Sequence, residues 1–153
     1  MIAALVLCNN LTELSLACGF NSAHWSALLA TLTRIKQLKI RLGRLATLEC
    51  FASGPIRRSL DHLSLEDLDP SMSPSELSHL YGLRRLRTLH ISNSFSPLLE
   101  DAMIDSLLSP PSPHLPALTS VRYRRTLSYR SELWATVERT GPSYEWMQSR
   151  LTQ

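Results

Sequence analysis

One spacing of apolar residues occurs five times along this chain of 153 residues, and it limits the possible folds more than any other feature. In each occurrence an apolar residue is followed by a second one three positions later and by a third one after two more. The five motifs are Leu11-x-x-Leu14-x-Leu16, Ile35-x-x-Leu38-x-Ile40, Leu60-x-x-Leu63-x-Leu65, Leu86-x-x-Leu89-x-Ile91 and Leu118-x-x-Val121-x-Tyr123. Their first residues lie 24, 25, 26 and 32 residues apart, which fits a repeating unit of one strand and one helix and excludes a heptad array.

Each motif predicts a strand with one apolar and one polar side. The fourth and sixth positions of the motif point to the same side of a strand, because side chains alternate between its two faces. The third, fifth and seventh positions then face outward, and most of them are polar. These outward positions are Glu13, Ser15, Ala17, Gln37, Lys39, Arg41, His62, Ser64, Glu66, Thr88, His90, Ser92, Ser120, Arg122 and Arg124.

The segments between the motifs carry helical spacing. Trp25, Leu28, Leu29 and Leu32 are spaced to form one buried helix face. The run Ser73-Pro74-Ser75-Glu76 is typical of a helix start, and it predicts a helix whose buried face includes Leu77, Leu80 and Tyr81. A similar start at Ser96-Pro97 predicts another helix through Leu107, followed by a proline-rich surface loop over Ser109 to Pro116. A last helix is expected around Ser131 to Arg139, and a shorter one carrying Tyr144, Trp146, Met147 and Leu151.

The motif spacing, the helices between strands and the cysteines near repeat starts resemble leucine-rich repeat proteins of the ribonuclease-inhibitor-like and F-box-associated classes. This resemblance covers about Leu11 to Tyr123. It implies an α/β fold, a leucine-rich repeat solenoid of about five repeats with parallel strands on its concave face and helices on its convex face. The proline-rich run 107–118 and the closing segment 131–150 are similar to the last part of fungal F-box proteins.

On this interpretation, residues 1–153 form a single leucine-rich repeat domain and residues 124–153 are its C-terminal capping segment. Met1 to Cys8 resembles the tail of a repeat's helix, so we expect the domain to be truncated at its N-terminus; the alternative is that this segment is a degenerate cap.

Two features depart from the family pattern. No F-box segment is present. The ninth motif position, often asparagine or cysteine in such repeats, is Gly19, Gly43, Leu68, Ser94 and Thr126 here, so no ladder of asparagines is expected.

Composition and motifs narrow the classes of function. The formal net charge of +3 is too small for a dedicated DNA-binding protein. Three cysteines, Cys8, Cys18 and Cys50, form no metal-binding pair and no disulfide framework, which indicates reduced thiols in an intracellular protein, in the cytoplasm or the nucleus. No apolar run reaches the roughly 18 residues of a membrane span. Motifs for catalysis or cofactor binding are absent, so the sequence predicts neither an enzyme nor a cofactor.

The outward polar positions are the candidate partner-binding surface. A protein or peptide ligand, acidic or phosphorylated, would suit them, because arginine pairs with carboxylate and phosphate in two-point geometry. The alternative is an ordinary solvated sheet face. Two histidines are too few for a metal site. The candidate partner-binding residues are Lys39, Arg41, His62, Glu66, His90, Arg122 and Arg124.

The first functional hypothesis is therefore a noncatalytic protein-protein interaction module, namely the substrate-recognition part of an F-box-type ubiquitin-ligase adaptor. A ubiquitin-ligase scaffold would be a partner only if an F-box lies upstream. The second hypothesis is a stand-alone leucine-rich repeat scaffold or inhibitor. The third is an RNA-associated repeat protein, which Arg84-Arg85 and Arg122-x-Arg124-Arg125 suggest but the scarcity of aromatic residues disfavours.

Overall fold

Seven strands form one sheet in the computed structural model of the chain, and they follow one another in sequence order. The structure describes residues 10–17, 20–42, 47–69, 72–92, 115–128, 131–140 and 143–152, with side chains as far as Arg122. The strands are β1 (Glu13–Ala17), β2 (Gln37–Arg41), β3 (His62–Glu66), β4 (Thr88–Ser92), β5 (Ser120–Ser128), β6 (Ser131–Thr140) and β7 (Ser143–Thr152).

The first five strands are parallel, and each of them contains one of the five sequence motifs. Their register brings equivalent motif positions side by side, as in the row Leu14, Leu38, Leu63, Leu89 and Val121. The predicted strands and their register are thus confirmed. Parallel strands joined by helical connections place the described part of the chain in the α/β class.

Helical connections cover the apolar side of the sheet. Helix α1 (Ser22–Thr31) begins at Asn21, whose side chain accepts a hydrogen bond from the backbone N–H of His24. Trp25, Leu28, Leu29 and Leu32 are all buried, as their helical spacing predicts. Three 3-10 helices follow, Leu48–Phe51, Pro55–Arg58 and Pro74–Gly82.

The helix predicted from Ser73-Pro74 is present, with Ser73 accepting a hydrogen bond from the N–H of Ser75 at its start. Leu77 and Leu80 are buried and Tyr81 is half-buried against the core. The segment is a 3-10 helix, which rises about 2.0 Å per residue, so nine residues span more distance than an α-helix of the same length would.

Side-chain hydrogen bonds join successive connections to one another. The hydroxyl of Ser22, on α1, accepts a hydrogen bond of 3.0 Å from the N–H of Thr47. The carboxylate of Glu76 accepts one of 3.1 Å from the N–H of Leu48. Both donors lie at the start of the Leu48–Phe51 helix, whose cap residue supplies no side-chain acceptor of its own. Its orphan donors are therefore satisfied by the connections on either side.

The core lies between the sheet and these connections. Inward residues of β2, β3 and β4 are fully buried there, together with Trp25 and Phe51. In β1 the equivalent residues Leu14 and Leu16 are only half-buried. The core is therefore deepest beneath the middle strands, and Leu68, at a ninth motif position, also belongs to it.

The prediction of two C-terminal helices is wrong, because the structure has the antiparallel strands β6 and β7 in their place. The sequence of β6 explains this. Leu133, Ala135 and Val137 alternate with more polar neighbours, and Thr136 is another β-branched residue, which favours a strand. Strand β5 also supplies a partner, since Val121 pairs with Val137 in the register.

Several other predictions lie outside the described residues. These are the segment Met1 to Cys8, Cys18, the helix that begins at Ser96-Pro97 and most of the proline-rich loop. Among the described residues, no helix has both the length and the apolar character needed to cross a membrane.

Truncation of one motif leucine tests the register. Leu89 is fully buried, so Leu89→Ala should lower the free energy of unfolding by about 2 to 5 kcal/mol. Leu14→Ala removes the same atoms from the equivalent half-buried position of β1 and should cost less, about 1 to 2 kcal/mol. Equilibrium urea denaturation measures both changes. Equal losses for the two variants would contradict the burial described here.

Candidate functional site

Three rows of outward side chains cross the parallel strands on the side of the sheet opposite the core. The register aligns residues of five consecutive strands in each row. We call this surface the open face. Its rows are Glu13, Gln37, His62, Thr88 and Ser120; Ser15, Lys39, Ser64, His90 and Arg122; and Ala17, Arg41, Glu66, Ser92 and Arg124. Ser92, which the sequence places at an outward position, is buried in the structure.

All seven candidate partner-binding residues from the sequence belong to these rows. The parallel register is the reason, because equivalent positions of neighbouring strands lie about 4.8 Å apart on the same face. Four of the seven lie on β2 and β3, His90 lies on β4, and Arg122 and Arg124 lie on β5.

A depression of about 370 Å³ lies on this face across β1 to β4. In the middle row the small Ser15 and Ser64 alternate with the longer Lys39 and His90, which leaves space above the serines. Polar and charged side chains line the depression together with Leu14, Leu38 and Leu63. Its lining residues are Glu13, Leu14, Ser15, Gln37, Leu38, Lys39, His62, Leu63, Ser64, Thr88 and His90.

Two hydrogen bonds hold polar side chains in place around the depression. The amide Nε2 of Gln37 donates to Oε1 of Glu13 at 2.9 Å, which joins β1 and β2. Ser64 Oγ lies 3.4 Å from His90 Nδ1, which joins β3 and β4. Each contact connects two neighbours within its own row. The polar side chains around the depression are therefore held in place from strand to strand.

An ion-pair network lies beside the depression, toward the carboxyl ends of the strands. Lys39 Nζ is 2.8 Å from Oε1 of Glu66, and Arg41 Nη2 is 4.0 Å from the other oxygen of that carboxylate. Arg41 Nε is also 2.8 Å from Oδ2 of Asp67. Two cations thus face two anions. Lys39 and Arg41, which the sequence analysis predicts as partner contacts, thus each form an ion pair within the sheet while their side chains stay 54% exposed.

Asp67 holds its place in this network with an uncommon backbone conformation. Its φ is +54°, in the left-handed region that few residues other than glycine adopt. Aspartate and asparagine tolerate this region better than most residues do. The turn after β3 therefore aims the carboxylate back at the guanidinium of Arg41.

Arg122 differs from Lys39 and Arg41 of the open face. It is exposed and lies next to His90 in the middle row. Among the residues that the structure describes, none forms an ion pair with it. Its exposed guanidinium has the planar fork that pairs with a carboxylate or phosphate in two-point geometry.

Two histidines lie on the open face. His62 and His90 lie in different rows, and the described residues contain no group of three histidine, cysteine or acidic side chains that could hold a metal ion.

Cys50 lies in the core and carries a free thiol. Burial raises the pKa of this thiol from 9.0 to about 12, so it is a poor nucleophile at neutral pH.

The ion pairs are the part of the site that sequence reasoning missed. The register pairs Arg41 directly with Glu66, and this follows from aligning the second and third motifs. Comparing neighbouring motifs position by position would have found it. The contact of Asp67 could not be found that way, because it depends on the backbone conformation after the strand.

Comparisons with known proteins identify no relative. No protein-family model matches the chain, and neither the curated proteins nor the solved structures include one with significant similarity to it.

Two substitutions separate the charge of Asp67 from its backbone role. Asp67→Asn removes the ion pair but keeps a residue that tolerates positive φ, so it should cost less than about 1 kcal/mol of unfolding free energy. Asp67→Ala also loses that tolerance and should cost about 1 kcal/mol more. Urea denaturation at low salt measures both values. Equal costs would show that the backbone conformation carries no strain.

The reactivity of Cys50 tests the burial of the Leu48–Phe51 helix. Since only the thiolate reacts, the raised pKa keeps the folded protein unreactive at Cys50 until the pH approaches about 12. We expect iodoacetamide at pH 8 to leave Cys50 unmodified in the folded protein and to alkylate it in urea, as measured by mass spectrometry of the Cys50 peptide. Rapid alkylation of the folded protein would contradict this arrangement.

Proposed function

We propose that the chain is a noncatalytic protein-binding module, a leucine-rich repeat solenoid whose open face holds a segment of another protein. The observation that carries this proposal is the shared register of five parallel strands, which assembles side chains from five separate motifs into continuous polar rows. The depression across β1 to β4 offers a place for one or more side chains of the partner.

Binding to this face would rest on side chains alone. The backbone groups of β2 to β5 already bond to a neighbouring strand on both sides, so over these strands the partner meets side chains rather than an open strand edge. A segment that crosses the strands would pass from the depression toward β5. There Arg122 would pair with a carboxylate or phosphate of the partner in two-point geometry.

The more specific form of the proposal is the substrate-recognition part of an F-box-type ubiquitin-ligase adaptor. Its support is the resemblance of the motif spacing, and it requires an F-box upstream. The alternative is a stand-alone scaffold or inhibitor that covers its partner's surface. Both forms place the protein inside the cell, where the free thiol of Cys50 stays reduced.

Site-specific photo-cross-linking in the cells that make this protein tests the proposal. A photoreactive residue at Ser64, in the depression, should give a discrete cross-linked product. The matched control places the same residue at Ser78, which is exposed on a helical connection on the other side of the sheet. Products from Ser78 but not from Ser64 would contradict binding at the open face.

Arg122 provides a second, independent variant. Arg122→Glu should reduce the Ser64 cross-link by about tenfold or more, because it replaces attraction by repulsion. Arg122→Lys keeps the charge but loses the two-point geometry, and should reduce it by a smaller factor. An unchanged yield in both variants would remove Arg122 from the site while leaving the depression as the binding surface.

The lifetime of the cross-linked partner distinguishes the two forms of the proposal. If the chain belongs to a ubiquitin-ligase adaptor, depleting it should lengthen the half-life of that partner. An unchanged half-life with intact cross-linking would favour the scaffold or inhibitor.

A further inference from the structure

A second charged surface lies outside the open face, at the amino ends of the middle strands. The four residues before β2, before β3 and before β4 include six exposed cations. We call these six side chains the basic rim. They are Arg34, Lys36, Arg58, Arg84, Arg85 and Arg87.

Backbone hydrogen bonds bring the three parts of the basic rim together. The carbonyl of Lys36 accepts the N–H groups of Asp61 and His62, each at 2.9 Å. The carbonyl of Asp61 in turn accepts the N–H of Arg87 at 2.8 Å. Lys36, Asp61 and Arg87 therefore lie in one row, and since neighbouring strands are about 4.8 Å apart, the row spans about 10 Å.

The only acidic residue in these twelve positions is Asp61, and it does little to neutralise them. Its side chain is 17% exposed, and its Oδ1 lies 3.4 Å from Nε of Arg85, whose side chain is 59% exposed. The carboxylate is thus held beneath the cations. Arg34 donates to the amide oxygen of Asn10 at 2.8 Å, a contact that leaves its charge uncompensated.

The two ends of the middle strands also differ in how their charges are balanced. Toward the carboxyl ends of β2 and β3, the cations Lys39 and Arg41 form ion pairs with the anions Glu66 and Asp67. At the amino ends, six cations face one anion. The excess positive charge of the described residues is therefore concentrated along one edge of the parallel sheet.

We infer that the basic rim binds an acidic segment of a partner protein. Five of its six cations are arginines, whose planar fork matches a carboxylate. In an extended segment, alternate side chains lie about 7 Å apart on one side, so two or three carboxylates would span the row. This surface goes beyond the proposed function, because none of the six residues belongs to the open face.

Nucleic acid fits this surface less well. Proteins that hold single strands stack the bases on aromatic side chains, which adds about 1 to 3 kcal/mol per base to the attraction of the phosphates. Among the side chains that the structure describes, no phenylalanine, tyrosine or tryptophan is exposed. The rim offers charge and arginine geometry without a surface for stacking.

Two labelled probes of about equal charge test both the surface and the class of partner: an oligo-glutamate and an oligouridine of about 20 units each. Fluorescence anisotropy measures their binding to the full chain at several salt concentrations. We expect oligo-glutamate to bind at low salt and to weaken steeply as salt is added, because each contact is an ion pair.

Charge reversals in the basic rim should weaken this binding. Lys36→Glu and Arg87→Glu should each raise the Kd for oligo-glutamate by about fivefold or more, and the double variant by about 25-fold. The matched control is the double variant Ser26→Glu and Ser78→Glu, which makes the same change in net charge at exposed positions of the helical connections and should alter the Kd less than twofold. Circular dichroism and urea denaturation confirm that each variant is folded.

Each other outcome overturns a stated part of the inference. If the rim variants bind oligo-glutamate as the parent does, the rim is not the site. If Arg122→Glu alone weakens binding, acidic ligands bind the open face. If oligouridine binds more than about tenfold more tightly than oligo-glutamate and loses this affinity in the rim variants, the partner is a nucleic acid. Cross-linking from Ser64 is unaffected by these results, so this inference and the proposed function fail separately.

Discussion

The parallel sheet depends on a hydrogen-bond pattern that recurs between every pair of neighbouring parallel strands. Just before a strand, one backbone carbonyl accepts two consecutive N–H groups from the next unit, at distances of 2.8 to 3.2 Å. This double acceptance fixes the register, and a slip by one residue would turn every apolar side chain of a strand to the solvent. The four accepting carbonyls belong to Thr12, Lys36, Asp61 and Arg87.

The pattern persists although the connections differ. The successive motifs start 24, 25, 26 and 32 residues apart. The first connection contains α1, the second has two short 3-10 helices, and the third has the longer 3-10 helix Pro74–Gly82. Differences in length are thus absorbed between the strands, while the rows of the open face and the basic rim keep their alignment. This explains how residues far apart in sequence come to share a surface.

Sequence reasoning succeeded where one residue type at one spacing decides the outcome. The motif leucines and isoleucines predicted the strands, their register and the buried side of each, and Ser73-Pro74 predicted a helix start. It failed over residues 131–152, where apolar residues at near-helical spacing also alternate, and pairing with β5 decides in favour of strands. The intrinsic preference of such a segment is too weak to settle its state alone.

The sequence predicted which residues lie at the candidate site. It did not predict which of their charged side chains form ion pairs. The outward residues followed from alternation along each strand. Whether a cation is free or paired depends on its neighbour in the next strand, as with Arg41 and Glu66, and on turn geometry, as with Asp67. Lys39 and Arg41 thus form an ion-pair network that the sequence analysis did not predict, while their role as partner contacts stays a prediction.

Hydrogen exchange of the amides that bond to the shared carbonyls tests the strand register most directly. If each carbonyl accepts two N–H groups, the amides of His62 and Thr88 should be as protected as those inside the strands. Native-state exchange followed by NMR should then give both amides opening free energies close to that of global unfolding. Exchange of either amide at the rate of an unstructured peptide would contradict the shared register from which the open face and the basic rim are inferred.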